Sequence, residues 1–402
     1  MARPVLRTPL CELLGIEFPI MLAGMGAGSG GSALAELVAA VSEAGGLGVI
    51  GAAGLGPDQI HEQCEKVRKL TKKPFGVDIL LPGNTAEAPA AVPPNGGGGG
   101  NGGVARSALD MLPSQYKDWV DSAISHFDLQ PPPPAAPRPD VAPAASAAVG
   151  PAETRDRRSR ELQQVEAIAQ ERVAVFASGL GNPAPYVKQF HEVGTKVVAL
   201  VGNVKNAKRV ADGGADVVVA QGYEAGGHTG RIGTFALVPQ VVDAVAPTPV
   251  VAAGGVGDGR GVAAAIALGA QGVWVGTAFL ATHEANVLPE LKQRIVDANE
   301  EDTRVTRLYS GKTMRNINNP LIEYWEESGL QALPMGLQGV VSGRVTAAAR
   351  VSGRPELTMN PAGQISGMLT RIRPAREVLE EMVEGAIRVL SELSSSRVTV
   401  SV

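Results

Sequence analysis

Eight short apolar runs bounded by glycine recur along this chain, separated by stretches of helical character, and no other feature limits the fold as strongly. The runs are Pro19–Leu22, Leu47–Gly51, Phe75–Leu80, Val173–Ala177, Lys196–Val201, Asp216–Ala220, Pro249–Ala252 and Gly272–Val275. Between them lie segments such as SALAELVAAVSEAGG, PDQIHEQCEKVRKL, NAKRVADGGA and GRGVAAAIALGA, several closing on the glycine that suits a helix C-terminus. Strands joined through helices must run parallel, because a parallel pair needs a long crossover. Eight such units in a row predict an α/β fold, a closed (β/α)8 TIM-type barrel rather than an open sheet.

Two regions break the rhythm. From 82 to 160 the chain carries PPNGGGGGNGG and PPPPAAPRPDVAPAASAAVGP, a flexible and a polyproline-biased stretch that cannot pack a core. Between these, 107–130 places Trp119, Ile124 and Phe127 at helical spacing, so 82–160 reads as a low-complexity insertion holding one helix. Beyond Thr282 the βα alternation gives way to helical and irregular sequence ending in REVLEEMVEGAIRVLSEL. The expected organisation is a barrel over 1–282, interrupted by 82–160, followed by a smaller, mainly helical domain over 283–402. Its last helix is free to pack back on the barrel, and the domain is placed to act as a lid.

Composition narrows the function. With 36 basic against 40 acidic residues, the chain lacks the positive excess of a nucleic-acid binder. Two cysteines, Cys11 and Cys64, cannot form a disulfide framework, and no Cys/His cluster has metal-ligand spacing, so no metal is expected. The N-terminal apolar stretch is broken by Glu12 and Glu17, and no run approaches the ~20 residues of a membrane span. A cytoplasmic enzyme with a small-molecule substrate is expected; self-association as a homodimer is left open.

Three glycine motifs compete as phosphate sites. GLGVIG (46–51) matches GxGxxG but opens a strand instead of following one, and SGKT (310–313) lacks the first glycine of a Walker motif, with no strand expected before it. GGVGDGRG (254–261) does follow a strand and open a helix. Together with the end of the next strand, it nominates Gly254, Gly255, Gly257, Gly276 and Thr277 as a phosphate shell, the place where barrels often bind one. The segment AQGYEAGGHTGRIGT (220–234) brings Gln221, Glu224 and His228 onto a glycine-rich loop at the same rim. Among five histidines, His228 alone has surroundings suited to proton transfer beside a planar ligand.

These residues resemble the nitronate monooxygenases, formerly 2-nitropropane dioxygenases, and the related FMN-dependent enoyl reductases and NADH:quinone reductases. The resemblance covers 8–81 and 171–395 and rests on IEFPIMLAGMG, QGYEAGGHTG, PVVAAGGVGDGRGVAAAIALGAQGVWVGTAF and YSGKTMRNINNP, in the family's order. It implies non-covalent FMN over the strand ends. Carried over by motif, Ala23, Gly24, Met25 and Gly26 would line the ring, with Gly51, Ala52, Val201, Gly202, Gln221 and Gly226. The phosphate would fall to Gly254, Gly255, Gly257, Gly276 and Thr277, and His228 would stand as the active-site histidine. Asp78 occupies a position where many members carry Asn beside the flavin; a carboxylate donates no hydrogen bond unless protonated, so either its pKa is raised or it meets another flavin edge.

The activity implied is oxidation of an alkyl nitronate with O2 to a carbonyl compound and nitrite. The rival on the same scaffold is an NAD(P)H-dependent reductase of a quinone or an enoyl thioester, which needs no Rossmann fingerprint. A barrel that binds flavin or phosphate without turnover, recruiting partners through 82–160, is the third reading.

Overall fold

Each of the eight runs becomes a strand in the computed structural model, which describes residues 5–26, 31–81, 108–132 and 151–393, with the backbone alone for 108, 110 and 151–159. In chain order the strands are β1 (Ile20–Leu22), β2 (Gly48–Gly51), β3 (Phe75–Leu80), β4 (Val175–Leu180), β5 (Lys196–Val201), β6 (Val217–Gln221), β7 (Gly227–His228), β8 (Val250–Ala253), β9 (Gly272–Val275), β10 (Thr303–Thr306) and β11 (Met314–Ile317). One parallel sheet of eight strands runs β1-β9-β8-β6-β5-β4-β3-β2. It closes where Met21 bridges Leu47 in parallel, with Leu22 N–H donating to Leu47 O at 2.8 Å and Leu47 N–H to Ile20 O at 2.9 Å. The barrel expected from the sequence is therefore the fold observed.

The pleat divides the strand residues between two cores. Met21, Val49, Val175, Ala177, Val198, Val219, Val251 and Trp274 point inward, and the helix Pro9–Leu14 stops the lower end with Leu10 and Leu14. Their neighbours Ile20, Ile50, Val77, Phe176, Val197, Val218 and Val273 point outward against the helices. Local signals start those helices: the Asn203 side chain accepts from Asn206 N–H, and Asp258 accepts from Arg260 and Gly261 N–H.

Two of the enclosing helices come late in the chain. Pro151–Glu171 begins inside the 82–160 span expected to be an insertion with a single helix; it precedes β4, packs on the helix Pro57–Leu70 and fills the third position around the barrel. The eighth position is filled by Ala375–Glu392, which packs on the helices Gly259–Ala267 and Ala35–Glu43. Everything between Ala281 and Pro374 is thus spliced between the last barrel strand and its covering helix.

A second hydrophobic core lies beside the barrel. Trp119 and Val120 of the helix Ser114–His126 pack with Leu321, Ile322, Trp325, Val341 and Val345. Trp119 meets Trp325 edge to face, with ring centroids 5.0 Å apart. The one helix read inside the insertion therefore joins this core, while most of the two low-complexity stretches lies outside the described residues. A three-stranded antiparallel sheet, β10-β11-β7, pairs Met314 with His228 and ties the 220–234 loop to this second layer. Among the described residues no helix is long and apolar enough to cross a membrane.

Candidate active site

A cavity of about 1710 Å³ opens over the C-terminal ends of the barrel strands. Its floor is built from the strand ends. Ala23, Gly24, Met25 and Gly26 come from β1, Asp78 from β3, Gln221 from β6, Gly254 and Gly255 from β8, and Gly276 and Thr277 from β9. Gly226 and His228 enter from the loop after β6. The structure thus brings twelve of the residues nominated from sequence to one cavity.

Five do not reach it. On β5 the even positions point inward, so Leu200 lines the cavity while Val201 packs outward, and Gly202 faces Gly230. Gly51 supports the floor from behind: a Cβ there would lie 2.2 Å from the Met25 carbonyl carbon. Ala52 turns away, its carbonyl taking a hydrogen bond from Gln164 Nε2, and Ala53 and Gly54 line the cavity instead. Gly257 packs against Met368 and Ile365.

The phosphate-loop expectation needs a related correction. The N-terminus of Gly259–Ala267 is occupied by its own cap, Asp258, so its first N–H groups are not offered to an anion. What faces the cavity is the turn at Gly254 and Gly255, with φ of 86° and 76°, a backbone conformation that gathers N–H groups into a concave nest. Glu224, which looked chemical in sequence, is committed elsewhere. Its carboxylate accepts from Thr234 N–H at 2.9 Å and Thr234 Oγ1 at 2.8 Å, pinning the glycine-rich loop to the next helix.

His228 is half-buried, and what it exposes faces the cavity. Its Nε2 lies 2.8 Å from Ser310 Oγ. Burial, and secondarily the Lys312 charge, push its pKa down to about 4, so the imidazole is neutral across the physiological range. The loop carrying it is clamped by Arg315, whose guanidinium donates to Tyr223 O at 3.1 Å and lies over the Tyr223 ring.

Asp78 is 6% exposed, and burial holds its carboxyl well above the ordinary carboxylate range against the opposing Gly179 N–H. Of the two possibilities raised by the sequence, burial favours the first, a raised pKa.

Several lining residues escaped the sequence reading. Gly179 leaves room for the Asp78 carboxyl, and Ser310 and Lys312 come from the SGKT segment. A strand, β10, does precede that segment, contrary to expectation, but a second strand and not a helix follows it, so no Walker geometry results. The far wall is formed by 307–314, by 332–336 and by the helix Gln338–Val351 through Gly339, Ser342, Gly343, Thr346 and Arg350. Only the pairing of β11 with β7 brings this wall to His228, and no local pattern encodes that pairing.

A glycine-floored cavity over the strand ends of a (β/α)8 barrel, holding a neutral histidine and a buried acid, defines an enzyme site for a small molecule. The sequence profile of the nitronate monooxygenase family matches residues 7–94 and 138–385, and the chain belongs to that family. It is an oxidoreductase. A Mycobacterium tuberculosis protein named as a monooxygenase is 36% identical over 398 residues, covering 96% of this chain and 98% of that protein. A Staphylococcus aureus protein named as a nitronate monooxygenase is 32% identical over 389 residues, covering 93% and 96%. Among solved structures, a nitroalkane oxidase from Streptomyces ansochromogenes superposes with a TM-score of 0.73 at 26% identity, covering 96% of this chain and all of that one. FabK from Thermotoga maritima superposes with a TM-score of 0.71 at 30% identity, covering 98% of this chain.

Proposed function

We propose that this chain binds FMN over the strand ends and oxidises alkyl nitronates with O2 to a carbonyl compound and nitrite. One observation carries the reading: a neutral His228 faces the same cavity as the Gly24, Asp78 and Gly254–Gly255 floor. The residues fit the cofactor. Glycine backbone allows close approach of a planar ring, the Gly254–Gly255 nest suits a phosphate, and the buried Asp78 Oδ1 has no protein partner among the described residues.

FMN, when bound, supplies the electron acceptor and the reaction with oxygen. The chain's own residues orient the substrate. The neutral His228 ring donates an N–H hydrogen bond to a nitronate oxygen, Ser310 fixes the ring, and the positive Lys312 favours an anion beside it. In this reading the segment between Ala281 and Pro374, and not the whole of 283–402, acts as a lid-like domain over the barrel and excludes water from the reacting centre. Cys11 and Cys64 are free and buried, which supports a cytoplasmic setting.

The test is an absorption spectrum of the purified protein, taken before and after anaerobic addition of NADH or NADPH and then of a nitronate. The expected result is a flavin spectrum that persists with either nicotinamide, bleaches with nitronate, and yields nitrite once air is admitted. Bleaching by NADH would replace the proposal with the reductase; a protein without flavin after reconstitution with FMN would sink both.

The size of the cavity favours that second reading, reduction of a long thioester or quinone by NAD(P)H. About 1710 Å³ exceeds the ~300–1,000 Å³ usual for a small-ligand site, leaving space beside a flavin for an extended substrate. One wall bears directly on this. Gly343 lies inside the helix Gln338–Val351, lines the cavity, and has no atom within 4 Å of where a Cβ would stand. Glycine inside a helix costs about 1 kcal/mol relative to alanine, and no backbone contact here requires it. Gly343→Leu is expected to raise KM for long-chain substrates about tenfold or more while leaving a two- or three-carbon nitronate nearly unaffected. Equal KM changes for short and long substrates would show that neither extends along this helix.

A further inference from the structure

Asp78 is held in a way that the barrel itself does not explain. Its inward position on β3 follows from the pleat, two residues after Gly76, in register with Gly51 on one side and Ala177 on the other. Two positions whose side chains would crowd it are glycines. A Cβ on Gly24 would lie 2.2 Å from the Asp78 Cβ and 2.5 Å from Oδ2, and one on Gly179 would lie 2.9 Å from Oδ2. Two chain crossings thus leave a slot for this carboxyl, and it lines the cavity.

Within the slot the carboxyl lacks what an ionised group needs. Its Oδ1 makes no hydrogen bond to any described residue. The charged or titratable groups lining the cavity with it are Arg160, Glu161, Tyr186, Glu224, His228, Arg307, Tyr309, Lys312 and Arg350, and the carboxyl forms no ion pair among the described residues. Glu224 is bonded to Thr234, Glu161 accepts the Tyr186 hydroxyl, and His228 meets Ser310. An unpaired buried carboxylate costs several kcal/mol, whereas the neutral acid removes that penalty and gains an O–H donor. The donor then requires an acceptor, and the open side of the slot is the cavity.

We propose that Asp78 faces the flavin as an uncharged acid, donating its O–H to an acceptor of the ring and so acting as a positioning residue that raises the cofactor's reduction potential. The inference rests on the FMN reading above. A donor at a ring acceptor stabilises the electron density gained on reduction, while a carboxylate at the same place would oppose it. Burial supports the neutral form, the Gly179 N–H being its one opposing influence.

The experiment uses FMN-loaded protein and compares wild type with Asp78→Asn and Asp78→Leu. The midpoint potential of the bound flavin is followed from pH 6 to 8, alongside the infrared spectrum in H2O and D2O. The amide reproduces the neutral donor, so Asp78→Asn is expected to keep the wild-type midpoint at every pH. Asp78→Leu is expected to lower the midpoint and weaken FMN binding about fivefold, the loss of one hydrogen bond. Wild type should also show a deuterium-sensitive carboxylic acid carbonyl band that both variants lack. A midpoint that rises sharply in Asp78→Asn, or a wild type without that band, overturns the inference while leaving the FMN reading intact. A protein that takes up no FMN overturns the reading itself, and the absence of a flavin spectrum identifies that case.

Discussion

Replacing His228 by alanine should leave FMN bound and reduce turnover of nitronate by about 10²-fold or more, the range for loss of a positioned acid–base or hydrogen-bonding group. Most of the flavin floor belongs to other elements, β1, β3, β8 and β9, so the variant should hold its cofactor. The histidine instead stands on the loop after β6, steadied by Ser310 and by pairing with β11. The pH dependence carries an independent sign. With the His228 pKa pushed down to about 4, the neutral form prevails above that value and is lost only as pH falls through it. For wild type, kcat/KM for a preformed nitronate should therefore be level through the neutral range and fall toward pH 4. An unfolded histidine titrates near 6.5, so a fall centred there would show that the ring is not buried as described. Unchanged kinetics in His228→Ala would remove the residue from the mechanism.

The second large effect concerns the join between the ends of the fold. Gly259 begins the helix after β8, and a Cβ placed there would lie 2.3 Å from Ala386 N and 2.4 Å from the Gly385 carbonyl carbon. Both contacts are backbone, so no side-chain rotation can relieve them. Gly259→Val should therefore separate the closing helix Ala375–Glu392 from its neighbour and destabilise the protein by about 3 kcal/mol or more, the upper range of overpacking. Urea denaturation followed by far-UV circular dichroism would measure it. A midpoint within experimental error of wild type would mean that the two helices do not meet in solution. Gly343→Ala is the control: it meets open space and should be neutral or slightly stabilising.

Much of this architecture is legible along the chain because its signals are local. Each barrel strand is a short apolar run closed by small residues, and each helix cap, such as Asn203 or Asp258, lies within three residues of the N–H it serves. The site was half legible for the same reason. Gly24, Gly254, Gly255, Gln221 and His228 follow strand ends that periodicity can find. Strand parity, applied along β5, would also have chosen Leu200 over Val201, since inward positions alternate.

What the chain order hides is everything that depends on distant segments meeting. Asp78 draws notice in the sequence only through the family resemblance; its burial, with Oδ1 left without a partner among the described residues, arises because Gly24 and Gly179, one from before β2 and one from β4, close over it. Ser310 and Lys312 read as a failed phosphate loop until β11 pairs with β7 and carries them to His228. Ala375–Glu392, which the sequence leaves free to pack back on the barrel, is its eighth helix, packed where Gly259 and Gly385 let two backbones touch. By itself the sequence determined the barrel, its strand order and the glycine floor, because these rest on hydrophobic period and turn chemistry within one βα unit. The burial of Asp78, the company of His228 and the far wall of the cavity were decided by tertiary structure, because desolvation and close backbone approach arise only between segments that folding brings together.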